Sequence, residues 1–232
     1  MAHRKVVAAS QKIALSGFDF SPADDSYLYA AFYACGAPYP NSNKDAFTVE
    51  ELTDCYDTFI GKPVYINHAN DDLTRARGVI IDAICHFDEE EDSCWVEILI
   101  ELDKETFPYL AQLIENGDID TVSMGCNLDY TECSVCGNIA YTDADFCEHI
   151  QNKMQNDAYE ICHGVEFFEI SLVYDPADPN AVITAVHQSS DKTADFALPE
   201  VADDRVASCP VCGSGQFDGK TCPVCGYIKR DE

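Results

Sequence analysis

Basic side chains are scarce in this chain: 14 Lys and Arg stand against 42 Asp and Glu, a formal charge of −28. A surface of that sign repels phosphate backbones and so argues against nucleic acid as a partner; it favours solubility and suits basic, Lys-rich proteins. Long hydrophobic runs are also missing. No stretch of about 18 apolar residues is present to span a bilayer, and the N-terminus lacks the charged-then-apolar order of a signal peptide, so the expectation is a soluble, intracellular protein. There is no His-Glu-x-x-His to suggest a metallopeptidase, and the acidic run Asp88–Asp92 lacks the spaced Asp/Asn-Gly pattern of a calcium loop.

What the chain does contain is apolar mass and cysteine. With 47% apolar residues, 12 Phe and 12 Tyr, its 232 residues can build one sizeable core with an appended module. The 13 cysteines are grouped as metal ligands rather than as a disulfide framework. Cys209-Pro-Val-Cys212 and Cys222-Pro-Val-Cys225 are two knuckles separated by nine residues, each followed by Gly, the pattern of a structural zinc ribbon. A second cluster, Cys133, Cys136, Cys147 and His149, supplies four ligands within 17 residues, with Cys126, Cys162 or His163 as alternatives for the fourth. Two structural Zn2+ ions are therefore expected, and together with free thiols they imply a reducing compartment, the cytoplasm. Cys35, Cys55, Cys85 and Cys94 have no paired spacing and read as packing residues.

Along the chain, Thr48-Val-Glu-Glu51 is a capping box opening a helix to about Phe59, and Gly61 and Pro63 stop it. Val64–Asn67 reads as a short strand delivering His68 to a polar loop, Ala69–Arg77. Gly78–Phe87 and Cys94–Leu102 form a hairpin around Asp88–Asp92, with Glu97 and Glu101 on a wet face between Val96, Ile98 and Ile100. An amphipathic helix, Lys104–Asn116, ends at Gly117 and leads into a strand, Ile119–Met124; another strand, Val165–Tyr174, returns to the core. Asp175-Pro-Ala-Asp-Pro179 closes the regular domain. The expected organisation is a domain over 1–187 with a zinc-binding insertion at about 127–150, a linker over 188–207 and a zinc ribbon over 208–232. The fold class is α+β, mainly an antiparallel β-barrel with flanking helices.

Three residues at strand positions form a candidate hydrolytic set. A hydroxyl becomes a useful nucleophile when a neutral imidazole takes its proton and a carboxylate fixes the imidazole tautomer. Ser123 is the candidate nucleophile, His68 the general base and Glu169 the carboxylate; Asp71, Asp72 and His163 stay open as the third member, and His86 is a rival base. Gly125 would let backbone approach a substrate carbonyl and donate to an oxyanion.

The words around these residues, GKPVYINH at Gly61–His68, VSMG at Val122–Gly125 and FFEISLVYDPADPNA at Phe167–Ala181, resemble the prohead (capsid maturation) proteases of tailed bacteriophages, a family similar in fold to herpesvirus assemblins. The likeness covers roughly 45–183. It implies a barrel-like serine endopeptidase that forms an acyl-enzyme on Ser123 and cleaves scaffold and capsid proteins, and possibly itself, inside the procapsid in the host cytoplasm. It also implies an extended peptide substrate, a possible homodimer, and a second-histidine role for His163 as in the assemblins. The zinc insertion and ribbon depart from the simplest family members. The competing expectation is a non-enzymatic zinc-ribbon assembly or adaptor protein of the virion, indifferent to the Ser123 hydroxyl.

Overall fold

The computed structural model describes Phe18 and residues 26–187. The expected linker and the ribbon cysteines Cys209, Cys212, Cys222 and Cys225 lie outside the described residues.

The apolar run after Ser26 is a long strand, β1 (Tyr27–Ala37), followed by a two-residue β2 (Asp45–Ala46). Thr48 caps α1 (Val49–Cys55), its hydroxyl accepting from the Glu51 N–H at 3.0 Å, and a 3-10 turn continues to Phe59. Only half of the expected capping box forms. The Glu51 carboxylate reaches across the fold to the Val165 N–H at 2.7 Å.

β3 (Pro63–Ile66) leads through a loop containing the 3-10 turn Leu73–Arg75 to the hairpin β4 (Gly78–Asp88) and β5 (Ser93–Asp103), close to its expected bounds. Asp103 receives the N–H groups of Glu105 and Thr106, and α2 (Pro108–Glu115) starts there with Pro at its first turn, where a missing N–H costs nothing. β6 (Thr121–Asn127) carries Ser123, and β10 (Glu166–Val173) carries Glu169. Between them lie β7 (Tyr130–Cys133), β8 (Ile139–Ala140), the one-turn helix α3 (Glu148–Gln151) and β9 (Glu160–His163). A last strand, β11 (Ile183–His187), follows the two prolines that were expected to end regular structure.

The protein is α+β. Seven strands in the order β11-β1-β5-β4-β3-β10-β6 form a curled mixed sheet, a half-barrel rather than the mainly antiparallel barrel expected. The β3–β10 pair is parallel, which the sequence alone does not reveal. Hydrogen bonds from Val122 N–H to Ala181 O (3.0 Å) and from Tyr33 N–H to Val182 O (3.0 Å) link the two sheet ends through the segment before β11. A second sheet, β2-β9-β7-β8, holds the excursion between β6 and β10, which extends to His163 instead of ending near 150. Lys153 joins its strands, reaching Asp45 at 2.8 Å and the nearly buried Glu160 at 2.7 Å.

One face of the large sheet makes the main core. Val64 and Ile66 of β3, Val122 of β6, and Ile170 and Leu172 of β10 all point into it, so their alternates point the other way. Phe167 stacks flat on Phe59 at 3.8 Å between ring centroids, a pairing worth about 0.5–1.5 kcal/mol beyond its area. That stack and the bond from Phe167 N–H to Thr58 Oγ1 (3.1 Å) anchor β10 beside the turn that feeds β3.

Candidate functional site

Strand alternation sets the site. With Ile170 and Leu172 inward, Glu169 and Ser171 of β10 share the opposite face; Ser171 lies in register with Ser123 of β6 on one side and Tyr65 of β3 on the other. Directly opposed side chains in adjacent strands have Cβ atoms about 4.5–5.5 Å apart, so the two serine hydroxyls are neighbours. Their environments differ. Ser171 is wholly buried, whereas Ser123 retains 8% exposure.

His68 arrives from β3 through two residues in the left-handed region, Asn67 at φ 49° and His68 at φ 53°. Non-glycine residues adopt that region at a cost and need support from their surroundings. Here Asn67 N–H donates to Leu172 O at 3.0 Å and His68 N–H to Ser171 Oγ at 3.0 Å, so β10 holds the turn. The turn swings the imidazole back over the sheet, and its Nδ1 meets Glu169 Oε1 at 2.8 Å. The second carboxylate oxygen, Oε2, accepts the Ser171 hydroxyl at 2.7 Å.

Glu169 is fully buried and His68 is 45% exposed at its side chain. A buried carboxylate needs donors, and these two supply them. The bond to Glu169 raises the His68 pKa above its ordinary value, burial opposes the shift, and the carboxylate's charge adds to it. Against an ionised carboxylate, which only accepts, a neutral ring would carry its proton on Nδ1 and leave Nε2 as the free lone pair, the arrangement a general base requires. Among the described residues no hydrogen bond joins Ser123 to His68. A cleft enclosing about 340 Å3 of solvent-open space reaches Ser123 along the β6 edge, bordered by Tyr39, Asp45, Phe47, Met124 and Asp178; neither His68 nor Glu169 lines it.

The other candidates have partners of their own. Asp71 binds Arg75 at 2.7 Å, and Asp72 accepts from the Thr74 N–H at 2.9 Å, so both serve the loop. His163 stacks on Tyr130 at 4.7 Å, with Glu132 3.5 Å from its Nε2 and Glu51 3.9 Å from its Nδ1. The rival base His86 bonds Glu97 at 2.9 Å and stacks on Trp95. Glu97 itself is only 3% exposed and also accepts the Thr184 hydroxyl, which corrects its expected place on a wet face. Gly125 also has a structural reason: a Cβ there would lie 2.5 Å from Glu169 Oε1, so the glycine makes room for the carboxylate.

Ser171 escaped the sequence reading. A serine in an apolar strand looks like any other, and the usable signal was its spacing of two from Glu169, which puts both on one face.

The second feature is the cysteine cluster. The ligand atoms of Cys133, Cys136, Cys147 and His149 all lie within 4.8 Å of one another and could hold a metal ion such as zinc. Cys136 Sγ is 3.6 Å from Cys147 Sγ, which in turn is 3.9 Å from His149 Nδ1. Tetrahedral zinc with bonds of about 2.0–2.3 Å has ligand-to-ligand edges of about 3.3–3.8 Å; the Cys136–Cys147 edge lies in that range, and the wider ones would tighten around an ion by up to about 1 Å. Burial works against the Cys147 thiolate, yet the Ile150 N–H and the neighbouring Cys133, Cys136 and His149 bring its pKa down to about 6. By contrast, burial pushes the Cys126 thiol up to about 12 and raises Cys162 as well. Those two thiols and His163 lie outside the cluster, whose fourth member is His149.

No helix among the described residues is long and apolar enough to cross a membrane. No protein-family model matches the chain, and neither the curated proteins nor the solved structures contain a match.

Proposed function

We propose that this chain is a serine endopeptidase in which Ser123 forms an acyl-enzyme with His68 as general base and Glu169 as the orienting carboxylate. The observation that carries the reading is the buried Glu169 carboxylate bonded to His68 Nδ1 at 2.8 Å, on the sheet face that also presents Ser123. The chemistry follows from those positions. His68 Nε2 takes the proton as Ser123 Oγ bonds to a peptide carbonyl carbon; the proton then passes to the leaving amine as the C–N bond breaks, and water repeats the sequence to release the acid. The reading requires the Ser123–His68 bond to close on substrate binding; such contacts are commonly loose in the free enzyme.

The biological assignment rests on the three sequence words that resemble prohead proteases. On that basis the substrates are scaffold and capsid proteins of a procapsid, with the chain itself as a further candidate; a homodimer, and a location inside the procapsid in the host cytoplasm, belong to the same reading. The cysteine cluster takes a structural Zn2+, since four protein ligands leave no open position for water, and the C-terminal cysteines take a second ion. A second reading, a zinc-stabilised adaptor of the virion, draws on the exposed Val135, Tyr141 and Met154 in the insertion.

A fluorophosphonate probe tests the enzyme reading directly, because it labels only a serine activated by a base. Labelling of wild type and loss of labelling in Ser123→Ala support it. Discrete truncations on co-expression with scaffold and capsid proteins, absent with Ser123→Ala, would support the substrate assignment; no labelling and no truncation would move the weight to the adaptor.

A further inference from the structure

We infer that Ser171 is the positioning residue of the site: one hydroxyl that fixes both the His68 turn and the Glu169 carboxylate, and thereby sets which imidazole nitrogen carries the proton. The inference rests on the proposed hydrolase reading for its consequence, though its geometry stands independently. Ser171 is completely buried and does not line the cleft that reaches Ser123, so it is not placed to act on substrate itself.

The direction of each bond is determined by counting protons. The His68 backbone N–H can only donate, so Ser171 Oγ accepts there at 3.0 Å. A hydroxyl has one proton, and the acceptor-only carboxylate takes it at 2.7 Å. With Oε2 occupied by Ser171, Oε1 is the oxygen left for His68 Nδ1 at 2.8 Å. Two strands contribute to this chain of bonds, β3 through its exit turn and β10 through both side chains, while β6 sets Ser123 beside it as the in-register neighbour of Ser171.

Removing this hydroxyl has two linked effects. The His68 N–H, in a left-handed turn, loses its acceptor, and the buried carboxylate loses a donor. With Oε2 released, the carboxylate is free to turn away from the ring, and a neutral imidazole without that acceptor on Nδ1 takes the Nε2–H form, placing the proton on the nitrogen that must accept from Ser123. A purely structural serine would not control that choice.

The test uses the full chain as wild type, Ser171→Ala and Ser171→Thr, with nitrogen-15 histidine spectra assigned through His68→Gln. Wild type and Ser171→Thr are expected to show neutral His68 as the Nδ1–H tautomer. Ser171→Ala is expected to show Nε2–H in its place, and fluorophosphonate labelling of Ser123 slowed by roughly 10- to 100-fold, the usual cost of a small misplacement. Should the alanine variant not fold, Ser171→Cys keeps the volume with only a weak donor and acceptor and gives the same comparison. An unchanged tautomer in the folded Ser171→Ala or Ser171→Cys protein overturns the inference. A changed tautomer in a protein whose wild type is never labelled upholds the positioning role and overturns the hydrolase reading instead.

Discussion

Glu169 and His68 are bonded at 2.8 Å across the boundary between interior and solvent, the carboxylate fully buried and the imidazole nearly half exposed. The buried partner is rigid and permanently committed, and the exposed partner can exchange its proton. Glu169→Gln keeps the shape and removes the charge. Its amide can present N–H to Nδ1 and enforce the wrong tautomer, so labelling of Ser123 should fall by roughly 10^3- to 10^4-fold, as orienting carboxylates do when neutralised elsewhere. Labelling kinetics on the folded variant measure this, and a loss below tenfold would remove Glu169 from the catalytic set.

The same pair makes stability and reactivity respond to pH in opposite directions. The His68 pKa is raised in the folded state, so its contribution to stability is fully present below the ordinary imidazole range and is lost as pH rises through the raised value. Reactivity needs the neutral ring and grows over the same interval. Urea midpoints of wild type relative to His68→Gln should therefore converge as pH climbs from 5 to 9, while the labelling rate of wild type climbs. A midpoint difference that widens with pH would contradict the bond as described.

Much of this site was legible in the sequence, for a physical reason. Strand alternation places Ser123 opposite in facing to Val122 and Met124, and Glu169 opposite to Ile170, so apolar neighbours mark the polar residues as sharing a face; at Phe168 the expected alternation fails, because the register shifts between Phe167 and Glu169 and the Phe168 ring comes to Gly125 on the Glu169 side. The hairpin was equally clear, because Asp88–Asp92 can only be a solvated tip between two apolar runs. What stayed hidden depends on partners distant in sequence. Glu97 is buried because Thr184, 87 residues later, comes to lie against it on β11. The parallel pairing of β3 with β10 brings the His68 turn to Ser171 across 103 residues, and no local pattern encodes it.

Gly125 should tolerate no side chain. A Cβ would meet Glu169 Oε1 at 2.5 Å and Phe168 Cζ at 2.9 Å, so Gly125→Ala must displace the carboxylate or the ring. Crowding of that kind costs roughly 1–3 kcal/mol, visible in the urea midpoint. The larger consequence should be functional. Because the displaced oxygen is the one that holds His68, labelling of Ser123 should drop by more than the stability change would suggest, and a variant destabilised yet labelled at the wild-type rate would show that Glu169 moves freely.

Ser123→Ala should separate the two classes of function. The side chain is 8% exposed, and none of the hydrogen bonds that fix the His68 turn passes through it, so its loss should shift stability by no more than about 0.5 kcal/mol. An endopeptidase would lose labelling and proteolysis entirely, while an adaptor would keep every binding property. A large fall in the melting temperature would reveal an unrecognised structural role for the hydroxyl.

Metal removal should act locally and then reach the site. Cys133, Cys136, Cys147 and His149 lie in the excursion between the strand that carries Ser123 and the strand that carries Glu169. Zinc is expected at one ion for this cluster by native mass spectrometry, lost in Cys133→Ser. Without it the small α3 and the β7–β8 pair keep the β7–β9 pairing but pack on only a small apolar cluster, Cys133, Ile150 and Ala158 with Phe146 and Cys147 at its edge. Hydrogen exchange should therefore rise across 130–158 in Cys133→Ser while β1, β4 and β5 stay protected by the main core. The register of Ser123 against Ser171 is fixed by seven paired residues of β10 with β6, so labelling should survive metal loss at a reduced rate. Complete loss of labelling with an intact core would instead mean that the insertion itself completes the site.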